Sequence, residues 1–174
     1  LTEIPGELVN LNALSCDGCP LTEIPGELVN LTELECSECP LLTEIPEEFV
    51  NLTYLYCHGC PLLTEIPREL VNLTWLYCYG CPLTEIPREL VNLNVLDCHG
   101  CPLLTEIPGE LVNITRLFCS GCKWLDRNND VYYQNIQRLL FCQKTSKKYL
   151  CWRKEKIKEY IPLIRDISSI IMEY

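Results

Sequence analysis

One phrase governs what this chain can fold into. Leu-Thr-Glu-Ile-Pro recurs with its isoleucine at positions 4, 24, 45, 66, 86 and 107. The steps are 20 or 21 residues, and the longer ones carry an extra leucine after a proline, as at Leu41-Leu42 and Leu62-Leu63. A fixed period of this length marks one small unit stacked on copies of itself. Such a unit cannot bury its apolar side alone; only its neighbours can cover it.

Within a unit, Leu55 and Cys57 alternate with Tyr54 and Tyr56. Alternation at period two predicts a short strand. Its Leu/Cys set faces inward and the intervening residues face outward. Pro67 suits the first position of a short helical turn. Asn72 suits a left-handed residue ending that turn before the next strand.

A whole unit runs from Leu52 through Tyr54, Leu55, Tyr56, Cys57, His58, Cys60, Leu62 and Ile66 to Leu70 and Asn72. It resembles the leucine-rich repeat family, whose strand motif is Leu-x-x-Leu-x-Leu-x-x-Asn/Cys-x-Leu. Leu52, Leu55, Cys57, Cys60 and Leu62 fall on its fixed positions, and Ile66 and Leu70 match the portion that crosses the convex side. The resemblance covers residues 1–122, with Cys replacing the third Leu and a unit shorter than usual. It implies an α/β solenoid: an arc with a parallel β-sheet on the concave face and short helical or 3-10 turns on the convex face. It also implies a protein-binding concave surface. The phrase itself resembles repeats encoded by large DNA viruses, which would make the partner a host protein in the host cytoplasm.

Comparing the units within this one chain separates scaffold from surface. The inward positions barely change, while the outward ones change freely. Tyr54, Tyr56, His58, Trp75, Tyr77 and Tyr79 occupy outward positions on adjacent strands, about 4.8 Å apart. They are expected to form one aromatic patch. Glu33, Glu35 and Glu38 flank it on one side and Asp97 on the other, with Arg116 and Phe118 one strand further on. Tyr and Trp anchor interfaces, and a clustered aromatic surface with a polar rim marks a binding site. The acidic flank predicts a partner bearing Lys or Arg near an apolar anchor. The competing reading is that these rings only pack across strands.

Of the 14 cysteines, twelve form Cys-x-x-Cys pairs at 16/19, 36/39, 57/60, 78/81, 98/101 and 119/122. Taken alone, such pairs suggest zinc or redox chemistry. The repeat phase instead places both members of each pair inside the solenoid, as two rows of small buried hydrophobes. Zinc requires four ligands converging on one point, and rows do not converge. Free thiols at this density fit a reducing, intracellular compartment. Asn-x-Thr sequons at Asn30, Asn51, Asn72 and Asn113 also arise from the repeat, because the same Asn recurs at Asn10 and Asn92 without a Thr. A turn role is expected for all six.

The pattern stops after Cys122. Residues 1–122 hold 18 acidic and 3 basic side chains, and residues 123–174 hold 6 and 11. The acidic repeats argue against nucleic acid, which requires clustered Lys and Arg. Residues 123–174 are expected to form a helical cap on the last repeat, since an open solenoid end needs one. Between Lys144 and Lys158 lie seven basic residues and one acid, with Tyr149, Leu150 and Trp152 interleaved. That stretch offers alternative partners: calmodulin, an anionic membrane or an acidic protein. The apolar run Ile161–Ile171 is interrupted by Arg165 and Asp166, so no membrane span is expected. At the other end, Leu1, Ile4, Leu8, Leu11 and Leu14 present an apolar edge that calls for upstream residues or for two copies pairing end to end. Neither of the histidines, His58 and His99, sits beside a nucleophile, and there is no phosphate loop or metalloprotease motif. The expectation is a binding protein with no catalytic residues and no cofactor.

Overall fold

A computed structural model describes residues 2–122. It contains six three-residue strands: β1 (Ala13–Ser15), β2 (Glu33–Glu35), β3 (Tyr54–Tyr56), β4 (Trp75–Tyr77), β5 (Val95–Asp97) and β6 (Arg116–Phe118). They form one parallel sheet in sequence order, β1-β2-β3-β4-β5-β6. Register is uniform: Leu34 pairs with Leu55, Leu55 with Leu76, Leu76 with Leu96 and Leu96 with Leu117. Each rung therefore repeats its neighbour one unit along the chain. Hydrogen bonding continues beyond the strands, with Cys57 N donating to Tyr77 O at 2.9 Å and Gly59 N to Tyr79 O at 2.9 Å.

The core is the stack of inward positions. Leu34, Leu55, Leu76 and Leu96 are fully buried, as are Leu31, Leu52, Leu73 and Leu93 before each strand. Phe49 fills the place that Leu28, Leu70 and Leu90 hold in other units, and it too is fully buried. Towards the first unit the cover thins: Leu11 and Leu14 are only partly buried.

The two cysteine rows lie inside, as the repeat phase requires. In the five pairs after the first, the second thiol donates to the carbonyl of the first Cys of the preceding unit. The Sγ-to-oxygen distances are 3.2 Å for Cys39 to Cys16, 3.1 Å for Cys60 to Cys36 and 3.0 Å for Cys81 to Cys57. Cys101 to Cys78 and Cys122 to Cys98 follow at 3.3 and 3.1 Å. A weak S–H donor thus serves a turn carbonyl, and the Cys16, Cys78 and Cys98 carbonyls also accept the amides of Cys19, Cys81 and Cys101. Burial, together with neighbouring groups, pushes the Cys16 and Cys119 thiols up to about 12.

On the side away from the sheet, where short helical or 3-10 turns are expected, the chain makes isolated turns with bonds three residues back, and no continuous helix occurs among the described residues. In the third unit, Leu70 N bonds to Pro67 O at 3.4 Å and Leu73 N to Leu70 O at 3.0 Å. Between them, Val71 N bonds to Glu69 O at 2.8 Å, only two residues back. An amide committed to that short ring cannot join a helical series, so the chain crosses in separate turns. Asn72 also differs from expectation. Its backbone is not left-handed, because Glu38 is the one non-glycine with positive φ among the described residues. Asn72 acts through its side chain, and Nδ2 donates to Val50 O at 2.9 Å. Asn30, Asn51, Asn92 and Asn113 do the same to Val9, Val29, Val71 and Val91. The cap expected over residues 123–174 and the basic stretch 144–158 lie outside the described residues.

Candidate functional site: the aromatic sheet face

Three outward positions per unit build three rows across the sheet. In the first row Tyr54 meets Trp75, with ring centres 5.5 Å apart and planes at 48°. In the second, Tyr56 and Tyr77 stack at 4.8 Å and 6°. In the third, Tyr79 lies between two imidazoles, 4.2 Å from His58 and 4.4 Å from His99. Trp75 also leans on Tyr77 at 6.3 Å, which ties the first two rows together. The six predicted aromatic positions are thus brought together, all half-exposed. Cross-strand packing and surface display coexist. Rings that stack along a row turn their edges and hydroxyls outward, so a partner meets a ridged apolar surface with polar tips.

His99 belongs to this site, although sequence reasoning did not place it there. The signal was its position, the same slot in its unit as His58 and Tyr79.

The two flanks are not equivalent. On β5, Val95 is buried and Asp97 is 9% exposed. Asp97 Oδ1 accepts from His99 Nδ1 at 2.5 Å and from the His99 amide at 3.3 Å. Its carboxylate is therefore engaged by the chain itself. On β2, Glu33 and Glu35 are half-exposed and stand in register with Tyr54 and Tyr56, and their carboxylates form no ion pair or hydrogen bond among the described residues. Burial, with Tyr77, Glu33 and Glu35 alongside, raises the Tyr56 hydroxyl above its ordinary range. Arg116 and Phe118 are exposed on β6, separated from the aromatic strip by buried β5.

Beside Glu35, Ser37 is 3% exposed and its Oγ has no partner among the described residues, as is also true of His58 Nδ1. Glu38 follows in the left-handed region at φ 57°, where the other five units place Gly18, Gly59, Gly80, Gly100 and Gly121. A side chain there is strained. An open groove of about 1380 Å³ runs along the Glu-Ile-Pro turns, remote from the strands, with Glu44, Glu65 and Glu85 among its lining. Among the described residues no group of three or more His, Cys, Asp or Glu is placed to hold a metal ion.

The model of the Leucine Rich Repeat family matches residues 30–52, 51–73, 72–93 and 92–114. Residues 30–114 of the chain are leucine-rich repeats of that family. Solved leucine-rich repeat proteins agree with that fold. One from Leptospira interrogans is 28% identical, with a TM-score of 0.61 over 70% of this chain and 35% of its own. The plant peptide hormone receptor RGFR1, solved in complex with RGF2, is 30% identical with a TM-score of 0.55, over 66% of this chain and 21% of its own. The functional domain of InlJ from Listeria monocytogenes, which includes a cysteine ladder, is 27% identical with a TM-score of 0.52, over 71% of this chain and 33% of its own. This leucine-rich repeat chain therefore spans between a fifth and about a third of those proteins' lengths. Among proteins of curated function, none matches it.

Proposed function

We propose that this leucine-rich repeat chain is a non-enzymatic interaction module that takes a protein partner on the aromatic face of its sheet. The observation that carries the reading is the strip of stacked rings spanning β3 and β4, half-exposed and continued by His99. Aromatic side chains with polar tips supply most of the energy at interfaces. The same face of an ordered sheet holds them at fixed spacing, so little is lost on ordering them. The plant peptide hormone receptor, solved in complex with RGF2, supports the reading. The residues we assign to the interface are Tyr54, Tyr56, His58, Trp75, Tyr77, Tyr79, Glu33 and Glu35, with Asp97, Arg116 and Phe118 at the periphery.

The buried free thiols fit a reducing compartment, and we place the chain inside the cell on that ground. The wording of its repeat, similar to repeats of large DNA viruses, makes a host protein the partner class we favour.

The test is capture from host-cell lysate by the native chain and by a Trp75→Ala/Tyr77→Ala variant with an unchanged thermal melt. Proteins retained by the native chain alone support the assignment. Equal recovery by both chains would remove the aromatic face from function and leave its rings as sheet packing.

A further inference from the structure

The aromatic strip has one open end and one closed end. At the β5 end the carboxylate of Asp97 is already taken by His99. At the β2 end Glu33 and Glu35 have no such partner. The basic residues in the described chain are Arg68, Arg88 and Arg116. Arg68 pairs with Glu69 at 3.1 Å, and Arg68 and Arg88 line the groove on the turn side. Arg116 lies on β6, four rungs from β2, or roughly 19 Å at the usual strand spacing. No described cation of this chain reaches the β2 carboxylates.

The ring beside them is oriented to help. Tyr56 lies nearly parallel to Tyr77 on its β4 side, which leaves its other side towards β2, where Glu35 is its register partner. Ser37, on the same rung and buried, keeps a hydroxyl without a partner. Glu38 adds a third carboxylate there, from a backbone conformation that the other units reserve for glycine.

We infer that this corner, formed by Glu33, Glu35 and the β2-facing side of Tyr56, receives an arginine side chain from an extended segment of the partner protein. The inference rests on the reading of the aromatic face given above and adds its polarity: cation at β2, apolar anchor at β3 and β4. Arginine fits better than lysine. Its planar guanidinium stacks on a ring and bonds carboxylates with two parallel donors, whereas an ammonium offers only a compact charge. The Cα atoms of alternate residues on one strand lie roughly 6.6 Å apart with side chains on the same face, which leaves room for a guanidinium between the two glutamates. The charge attraction is retained best where the ring shields it from water.

The experiment is selection of a random linear peptide library on the full chain, followed by affinity measurements on the selected peptides. Selected peptides should carry arginine at a fixed distance from an aromatic or apolar residue. They should bind E33Q/E35Q roughly tenfold more weakly. An E47Q/E48Q chain loses two charges from the turn side and should stay within about twofold of native, because remote charges are screened. Lysine in place of the selected arginine should weaken binding. Peptides that require Trp75 and Tyr77 but are indifferent to E33Q/E35Q would overturn the cation corner and leave the aromatic face standing. Peptides indifferent to both pairs of substitutions, or a selection that yields none, would count against the corner and the face together. Thermal melts of each variant separate lost binding from lost folding.

Discussion

Tyr56 and Tyr77 stack across adjacent rungs with 4.8 Å between ring centres and 6° between planes. They come from different units, 21 residues apart, yet the register of β3 on β4 puts one directly over the other. The contact is a property of the sheet. It makes the binding surface and the scaffold partly the same object.

That overlap is measurable. A double-mutant cycle of Tyr56→Ala and Tyr77→Ala on folding stability should give a coupling energy of about 0.5–1.5 kcal/mol. Urea denaturation of the four chains checks it. A coupling near zero would mean that the rings touch without stabilising one another.

Glu38 supplies an opposite case. Its left-handed backbone should carry a cost of about 1–2 kcal/mol, so Glu38→Gly is expected to raise the unfolding free energy by roughly 1 kcal/mol once the flexibility of unfolded glycine is allowed for. A chain that becomes more stable on losing a carboxylate from the β2 rung would mark Glu38 as retained for something other than folding. A loss of stability would show that its side chain is integral to the turn.

Asn72 tests the turn ladder. Nδ2 donates to Val50 O at 2.9 Å. Asn72→Ala should cost about 1 kcal/mol for the lost bond. Asn72→Asp should cost more, because an ionised carboxylate has no donor and would face a carbonyl oxygen. Equal midpoints for the two variants in urea would show that the bond contributes little.

The thiols predict the alkaline limit. Cys16 and Cys119 ionise near 12 in the folded chain against an ordinary value of 9.0. Between those values the unfolded chain has lost protons that the folded chain keeps, so unfolding becomes easier as pH rises. Their contribution should be complete below pH 9 and should disappear towards pH 12. Replacing both by alanine should flatten the fall in melting temperature across that window. An unchanged slope would place the sensitivity elsewhere.

Much of this was legible in the sequence. The period fixed the number of strands, and alternation through Leu55, Tyr56 and Cys57 fixed which side chains face inward. The cysteine rows followed from phase alone, because Cys57 and Cys60 occupy slots that a stacked unit must bury. Side-chain rotamers did not follow. Outward position says that Tyr79 and His99 are neighbours on the face, but not that they stack, nor that His99 turns to Asp97. The turn side was only partly legible for a related reason. Pro67 is a good helix start in isolation, but the Val71 amide bonds only two residues back. Glu38 was readable as the odd residue in a glycine slot, yet only a dihedral angle shows that it adopts the glycine conformation.

The bonds from Cys39, Cys60, Cys81, Cys101 and Cys122 to the preceding unit are alike at every junction. A junction therefore does not distinguish which two units it joins. Duplicating or deleting one whole unit in the gene would leave each seam intact and change only the order of surfaces along the arc. Inserting a unit between β2 and β3 would move the acidic rung about 4.8 Å further from the rings. The reach between charge and anchor is thus set by copy number, and recombination can retune it in whole steps without redesigning the core.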